Sequence, residues 1–257
     1  MTEGYLNIDL YRQKRQRLQE QAPRYRQYCE SCWQPGFGCY CSEVKKFNPE
    51  IEFIILIHPI EVKRRIATGR MSHLCLENSK LIRGENYTDN IQVNEILNDP
   101  FRQCVILYPG PQSVSVSGMN PDERANLISP TKRLTVFVID GTWATARKMV
   151  RRSENLRSLK RISFIPEAPS RFRVRKQPAP GCYSTIEAIH KVIDLLGDHV
   201  GFPVQTRVHD RLLIVFDYMV ERQLKFIADL DRRVDSYRRV RKGKSTRSAV
   251  IESPQVF

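Results

Sequence analysis

Three short apolar runs constrain the fold of this chain more than any other feature. Residues 51–57 (IEFIILI), 104–108 (CVILY) and 134–139 (LTVFVI) are aliphatic and β-branched almost throughout. They lack polar alternation, so each predicts a strand covered on both faces. All three stop abruptly, at His58-Pro59, at Pro109-Gly110-Pro111 and at Asp140-Gly141. Helical patterns follow at residues 62–67, 93–97 and 142–150. Short, doubly covered strands alternating with helices predict an α/β fold, a mostly parallel sheet with helices on both faces. Residues 184–196 (STIEAIHKVIDLL) add an amphipathic helix with Ser184 as N-cap and Glu187 as its capping-box partner, and residues 208–230 predict another. In such sheets ligands gather beyond the carboxyl ends of the strands, where these three runs break off.

Charge narrows the partner. Among 257 residues, 42 Lys and Arg face 28 Asp and Glu, a net charge of +14. Phosphate neutralisation by Lys and Arg releases counterions, so nucleic acid is the expected counterpart. A membrane is not expected, because no 18-residue apolar run occurs and the first 28 residues are charged throughout, without a signal peptide. A cytoplasmic protein follows, with no stable protein partner implied. The basic residues recur in four places. Residues 6–26 carry Arg12, Lys14, Arg15, Arg17, Arg24 and Arg26, a basic helix or arm ending near Pro23. Arg147, Lys148, Arg151, Arg152, Arg157, Lys160 and Arg161 form a second group. Arg171, Phe172, Arg173, Val174, Arg175 and Lys176 alternate basic and apolar residues, so an extended chain would put three arginines on one face. Arg238, Arg239, Arg241, Lys242, Lys244 and Arg247 crowd a C-terminal stretch read as a disordered tail. A solvated face or a charged edge strand would account for any one of these, but not for four. Arg147, Arg151, Arg171, Arg173, Arg175 and Lys176 are the candidate RNA contacts.

Of seven cysteines, Cys29, Cys32, Cys39 and Cys41 lie within 13 positions, spaced CxxC and CxC around Gly36-Phe37-Gly38, while Cys75, Cys104 and Cys182 stand apart. This is not the pattern of a secreted disulfide framework. Four thiolates so close can enclose one tetrahedral zinc, a structural site because four protein ligands leave no open position. The alternative is four free thiols, which would be exposed redox liabilities. The chain then divides into a basic arm (1–26), a zinc-binding segment (27–46), a catalytic domain (47–230) and a basic tail (231–257).

Asp140-Gly141-Thr142-Trp143 stands where a buried strand meets a helix. A carboxylate there faces the ligand crevice, Gly permits a tight turn and Thr caps the helix, although capping alone would also explain Asp140. No P-loop, GxGxxG or HExxH motif is present.

Asp140-Gly141-Thr142-Trp143 resembles the signature of the DTW-domain proteins, the tRNA-uridine aminocarboxypropyltransferases. So do the cysteine cluster, His58-Pro59 with Glu61 and Arg65, Thr68-Gly69-Arg70, Asn78-Ser79 with Leu81-Ile82-Arg83-Gly84, Tyr108-Pro109-Gly110, and Ser184-Thr185-Ile186-Glu187-Ala188. The resemblance spans residues 29–196. Ala67 departs from it, standing where the family pattern has Asn. The resemblance implies a SPOUT-like, trefoil-knotted catalytic domain that binds S-adenosylmethionine. Its cofactor residues would be Thr68, then Tyr108, Pro109, Gly110 and Pro111, then Asp140, Gly141, Thr142 and Trp143, then Pro180, Gly181, Cys182, Tyr183, Ser184 and Thr185. The implied reaction carries the 3-amino-3-carboxypropyl group to nitrogen 3 of a tRNA uridine, releasing methylthioadenosine, with Asp140 as base. The competing expectations are a SPOUT-like RNA methyltransferase and a non-catalytic, zinc-dependent RNA-binding protein.

Overall fold

The computed structural model describes residues 28–62, 64, 66–174 and 181–247, with side chains described as far as residue 229. The three apolar runs are strands β1 (Glu52–Ile57), β3 (Arg102–Leu107) and β5 (Arg133–Asp140). Three shorter and more polar strands complete the sheet: β2 (Ser79–Arg83), β4 (Ser113–Ser115) and β6 (Lys160–Ser163). The order across the sheet is β2-β1-β5-β3-β6-β4, with every ladder parallel. The apolar strands thus lie side by side, which is why both their faces can be covered. Chain order and sheet order differ, because β5 enters between β1 and β3 although it follows both in sequence.

Period-two alternation along β1 sends its side chains to two cores. Phe53 and Ile55 join one, Ile54 and Leu56 the other. The first core is closed by α2 (Thr68–Cys75), α7 (Thr185–Leu196) and α8 (Arg211–Arg247), through residues such as Met71, Ile189 and Phe216. The second is closed by α3 (Ile91–Asn98), α5 (Trp143–Arg152) and α6 (Glu154–Arg157), through Val93, Met149 and Leu156. Short helices α1 (Pro59–Val62) and α4 (Pro121–Leu127) occupy connections. At the amino end of the central strands, Glu52 of β1 is buried and takes Arg102 Nε of β3 at 2.7 Å and Thr135 Oγ1 of β5 at 3.0 Å. Burial opposes that charge, but the Arg102 and Thr135 hydrogen bonds prevail and hold the carboxyl below its ordinary pKa.

Cys32 and Tyr40 belong to the first core, so the cysteine segment is packed on the sheet assembly. Phe37 stacks on Phe226 of α8 at 5.5 Å, and Arg222 Nη1 donates to the Phe37 carbonyl at 2.6 Å. No helix among the described residues is long and apolar enough to cross a membrane.

Three expectations change. The helical pattern at 62–67 does not form a helix: Val62 ends α1, Arg64, Ile66 and Ala67 lie outside any helix, and the guanidinium of Arg70 donates to the carbonyl of Val62 across the gap to α2. The extended reading of residues 171–176 fails where it is described, since Arg171 to Val174 form a bend and a turn and the Arg173 N–H donates to the Arg171 carbonyl at 2.8 Å. The cause is Glu187, whose carboxylate takes the Arg171 N–H at 2.7 Å while Phe172 buries its ring against Phe216. Arg175 and Lys176 lie outside the described residues, as do the arm 1–26, Arg65 and Pro180. Finally, α8 continues to Arg247, through much of the stretch whose composition had predicted a disordered tail.

Candidate active site

The carboxyl ends of β3, β5 and β6 open onto one cavity of about 330 Å³. Its wall brings together Thr68 of α2, Tyr108 and Pro109 after β3, and Asp140 at the end of β5. Gly141 and Trp143 follow, with Phe164 and Pro166 after β6 and residues 181–185 leading into α7. The crevice forms there because β5 separates β1 from β3, so its terminal loop meets loops from several strands.

Asp140 is only 5% exposed. Thr185 Oγ1 donates to Asp140 Oδ1 at 2.6 Å. On another side Gly69 packs so close that a Cβ there would overlap the Asp140 carboxylate, so glycine is required by approach rather than by turn geometry. The Asp140 carbonyl accepts the His58 N–H at 3.0 Å, joining the ends of β1 and β5. Thr185 is in turn held by the capping box of α7. One Glu187 oxygen accepts from the Ser184 N–H at 2.8 Å, the Ser184 hydroxyl at 2.6 Å and the Ser170 hydroxyl at 2.7 Å, while the other takes the Arg171 N–H. This carboxylate fixes both the start of α7 and the loop that turns Phe172 into the cavity wall.

Thr142 is the N-cap of α5, its Oγ1 accepting the Thr145 N–H at 3.2 Å. Trp143 opens the helix and lines the cavity while 41% exposed. Ala146, Met149 and Val150 face inward, leaving Arg147, Lys148 and Arg151 on the outer face. Arg173 is exposed, and Arg171 pairs with Asp217 at 2.7 Å.

The four clustered cysteines bring their sulfurs within 4.8 Å of one another, with Cys29 to Cys41 and Cys32 to Cys39 each 3.6 Å apart. Four sulfurs at about 2.3 Å from a tetrahedral zinc would stand about 3.8 Å apart, so the donor set and its spacing fit that ion. The backbone N–H groups of Cys32 and Ser31 lower the Cys29 thiol to about 6, whereas burial raises the Cys32 and Cys41 thiols, so the support for a metal here is the spacing of the donors.

Of the cofactor residues expected from sequence, Thr68, Tyr108, Pro109, Asp140, Gly141, Trp143, Gly181, Cys182, Tyr183, Ser184 and Thr185 stand on the cavity wall. Gly110 and Pro111 are exposed in a turn closed by Ser113, whose N–H donates to the Gly110 carbonyl at 3.0 Å. The wall also includes Phe164 and Phe172, which sequence reasoning missed. The alternation puts Phe172 on the face of an extended chain opposite the arginines, with nothing to connect it to the cavity, and Phe164 follows a strand too short and polar to read.

The sequence model of the DTW domain matches residues 26–224. A tRNA-uridine aminocarboxypropyltransferase 2 of Drosophila melanogaster is 31% identical over 182 residues, 68% of each chain. The corresponding protein of Mus musculus is 26% identical, the match covering 65% of this chain and 56% of that one. A tRNA-uridine aminocarboxypropyltransferase A of Arabidopsis thaliana is 25% identical over 81% of this chain and 85% of its own. No solved structure matches.

Proposed function

The chain belongs to the DTW domain family, and we propose that it is a tRNA-uridine aminocarboxypropyltransferase. It would carry the 3-amino-3-carboxypropyl group of S-adenosylmethionine to nitrogen 3 of a uridine, with release of methylthioadenosine. The observation that carries this reading is the buried Asp140 carboxylate, anchored by Thr185 on the wall of a cavity at the carboxyl ends of the sheet. The donor would lie against Tyr108, Trp143, Phe164 and Tyr183, whose rings suit an adenine and a flat, apolar nucleoside. When bound, its sulfonium supplies an activated carbon at the amino-acid end. Asp140 takes the proton that the uridine nitrogen gives up, and Thr185 and Gly69 keep the carboxylate aimed while it does so. Burial on the wall excludes water from the same place.

The remaining assignments rest on the same reading. Zinc is held by Cys29, Cys32, Cys39 and Cys41 as a structural ion, supported by the sulfur spacing. The tRNA meets Arg147, Arg151, Arg171 and Arg173, supported by the exposure of α5 beside Trp143 at the cavity. The backbone carries a SPOUT-like trefoil knot, supported by the late entry of β5 and β6 between earlier strands. The enzyme works in the cytoplasm, supported by cysteine spacing that suits a metal rather than a secreted disulfide framework.

Incubation of the protein with tRNA and S-adenosylmethionine, followed by nucleoside mass spectrometry, tests the reading. An aminocarboxypropyl-uridine together with methylthioadenosine supports it. A methylated base with S-adenosylhomocysteine would make the protein a methyltransferase, and tRNA binding without any product would make it a non-catalytic binder.

A further inference from the structure

We propose that Trp33, on the cysteine knuckle, is a stacking platform for an unstacked nucleobase of the RNA beside the reacting uridine. The inference rests on the tRNA reading above. The chain has two tryptophans, and neither is buried: Trp33 is 51% exposed and Trp143 41%. Trp143 is accounted for by the cavity wall. Trp33 is not, and its large apolar surface gains little from folding where it stands.

Its backbone is also unusual. Trp33 has φ 59°, a left-handed conformation that bulky side chains seldom adopt. The knuckle imposes it, with the Trp33 N–H donating to the Cys29 carbonyl and the Cys29 N–H to the Gln34 carbonyl, each at 2.8 Å. A glycine or asparagine would meet that demand with less strain. A tryptophan held there presents its indole outside the segment that binds the cysteines together.

The ring leads back to the active site. The Arg70 guanidinium lies 5.1 Å from the Trp33 ring centroid. Arg70 is 6% exposed, and its Nη1 has no hydrogen-bond partner among the described residues. Arg70 follows Gly69, which packs on the Asp140 carboxylate, and Thr68, which lines the cavity. Three consecutive residues of α2 therefore connect cavity, carboxylate and indole. A buried cation behind the ring adds positive potential where a polyanion would approach and fixes the plane of the ring by cation–π contact. Unpaired bases of RNA are held on aromatic and guanidinium planes, a contact that tolerates any base because each has a π face. A tRNA nucleotide flanking the one that enters the cavity is the occupant of matching chemistry and position.

The test uses full-length Trp33→Ala and Trp33→Phe proteins, with tRNA affinity, zinc content, melting temperature and S-adenosylmethionine affinity measured on each. The expected result is about tenfold weaker tRNA binding for Trp33→Ala and near-normal binding for Trp33→Phe, the other three quantities being unchanged. In Trp143→Phe protein, where Trp33 is the remaining indole, added tRNA should quench the fluorescence. Unaltered tRNA affinity of Trp33→Ala overturns the proposal, including the case in which the indole meets a protein instead. A loss that merely follows zinc content or melting overturns it as well. Wild-type protein that neither binds nor modifies tRNA would remove the functional reading itself, whereas wild-type modification with unaltered Trp33→Ala affinity removes the platform alone.

Discussion

The Thr185 hydroxyl donates a 2.6 Å hydrogen bond to Asp140 Oδ1, joining the start of α7 to the end of β5 across 45 residues. Asp140→Asn retains an acceptor for that bond and loses basicity. The variant should melt near the wild-type temperature, bind S-adenosylmethionine normally and transfer on the order of a hundred- to ten-thousand-fold more slowly at neutral pH. Raising the pH should restore part of the rate, since solvent then supplies the uridine anion. Single-turnover transfer across pH is the measurement, and a wild-type rate in the folded variant would remove Asp140 from the chemistry.

Glu187 holds the other end of this arrangement. Glu187→Ala leaves donors from Ser184, Ser170 and Arg171 without their shared acceptor. The loss of a cap and of buried partners should cost about 2–4 kcal/mol of stability. Cofactor affinity should fall with it, because the residues 181–185 that line the cavity lose their anchor. Denaturant midpoints and calorimetric titration check both, and an unshifted midpoint would contradict the assigned role.

One zinc per chain is expected by elemental analysis. Its removal with a strong chelator, or Cys32→Ser, should lower the melting temperature because structural zinc contributes folding free energy directly. The change should reach α8, whose Phe226 stacks on Phe37 and whose Arg222 binds the Phe37 carbonyl. Hydrogen exchange should therefore accelerate around residues 218–226 on chelation. Protection there that ignores the metal would separate the two elements.

Stability should fall on acidification in two stages. His190 is buried and its pKa is lowered by that burial from 6.5, against the opposing hydrogen bond that its ring N–H donates to Asp210, with His209, Asp194 and Arg207 completing the cluster. A folded pKa below the unfolded one means that the unfolded chain takes up the proton first. Stability is then full above about 6.5 and declines as pH drops toward the folded value. Asp194 is held low first by its hydrogen bond with His209, and Asp210 by Arg207 and His190 in spite of burial. With Glu52 also lowered, a second loss follows below the ordinary carboxylate range. Melting temperature against pH should show both stages, and His190→Gln should flatten the first. A melting temperature constant from pH 7 to 5 would contradict the histidine assignment.

Arg147→Ala and Arg151→Ala should each weaken tRNA binding and reduce the salt slope by about 1, as loss of one phosphate contact does. Truncation after Leu230 should reduce the slope further, since it removes eight basic residues, Arg232 and Arg233 together with the six at 238–247. Binding titrations over salt concentration decide this, and an unchanged slope would make these residues bystanders.

Several elements were legible because their causes are local. β1, β3 and β5 are apolar on both faces whatever their neighbours, the cysteine spacing fits one ion within 13 positions, and Ser184 with Glu187 forms its capping box over a single turn. The polar strands β2, β4 and β6 gave no such signal, because they are short and bury at most one side chain each, Ile82 in β2 and Ile162 in β6, while backbone ladders seat them in the sheet. Residues 171–174 were misread for a related reason. Their alternation satisfies a strand, but a carboxylate 16 residues away binds the Arg171 N–H and turns the chain.

Local residue patterns settle which segments must be covered, which thiols share a site, and that a carboxylate ends a buried strand. Tertiary structure alone decided that β5 enters between β1 and β3, and with it that Asp140 meets Gly69 of α2 and Thr185 of α7. Strand order is not encoded in any window, because an apolar strand is satisfied equally by many neighbours and only the joint packing of two cores selects among them. The approach of Trp33 to Arg70 belongs to the same class, since it depends on how the cysteine segment seats against α2.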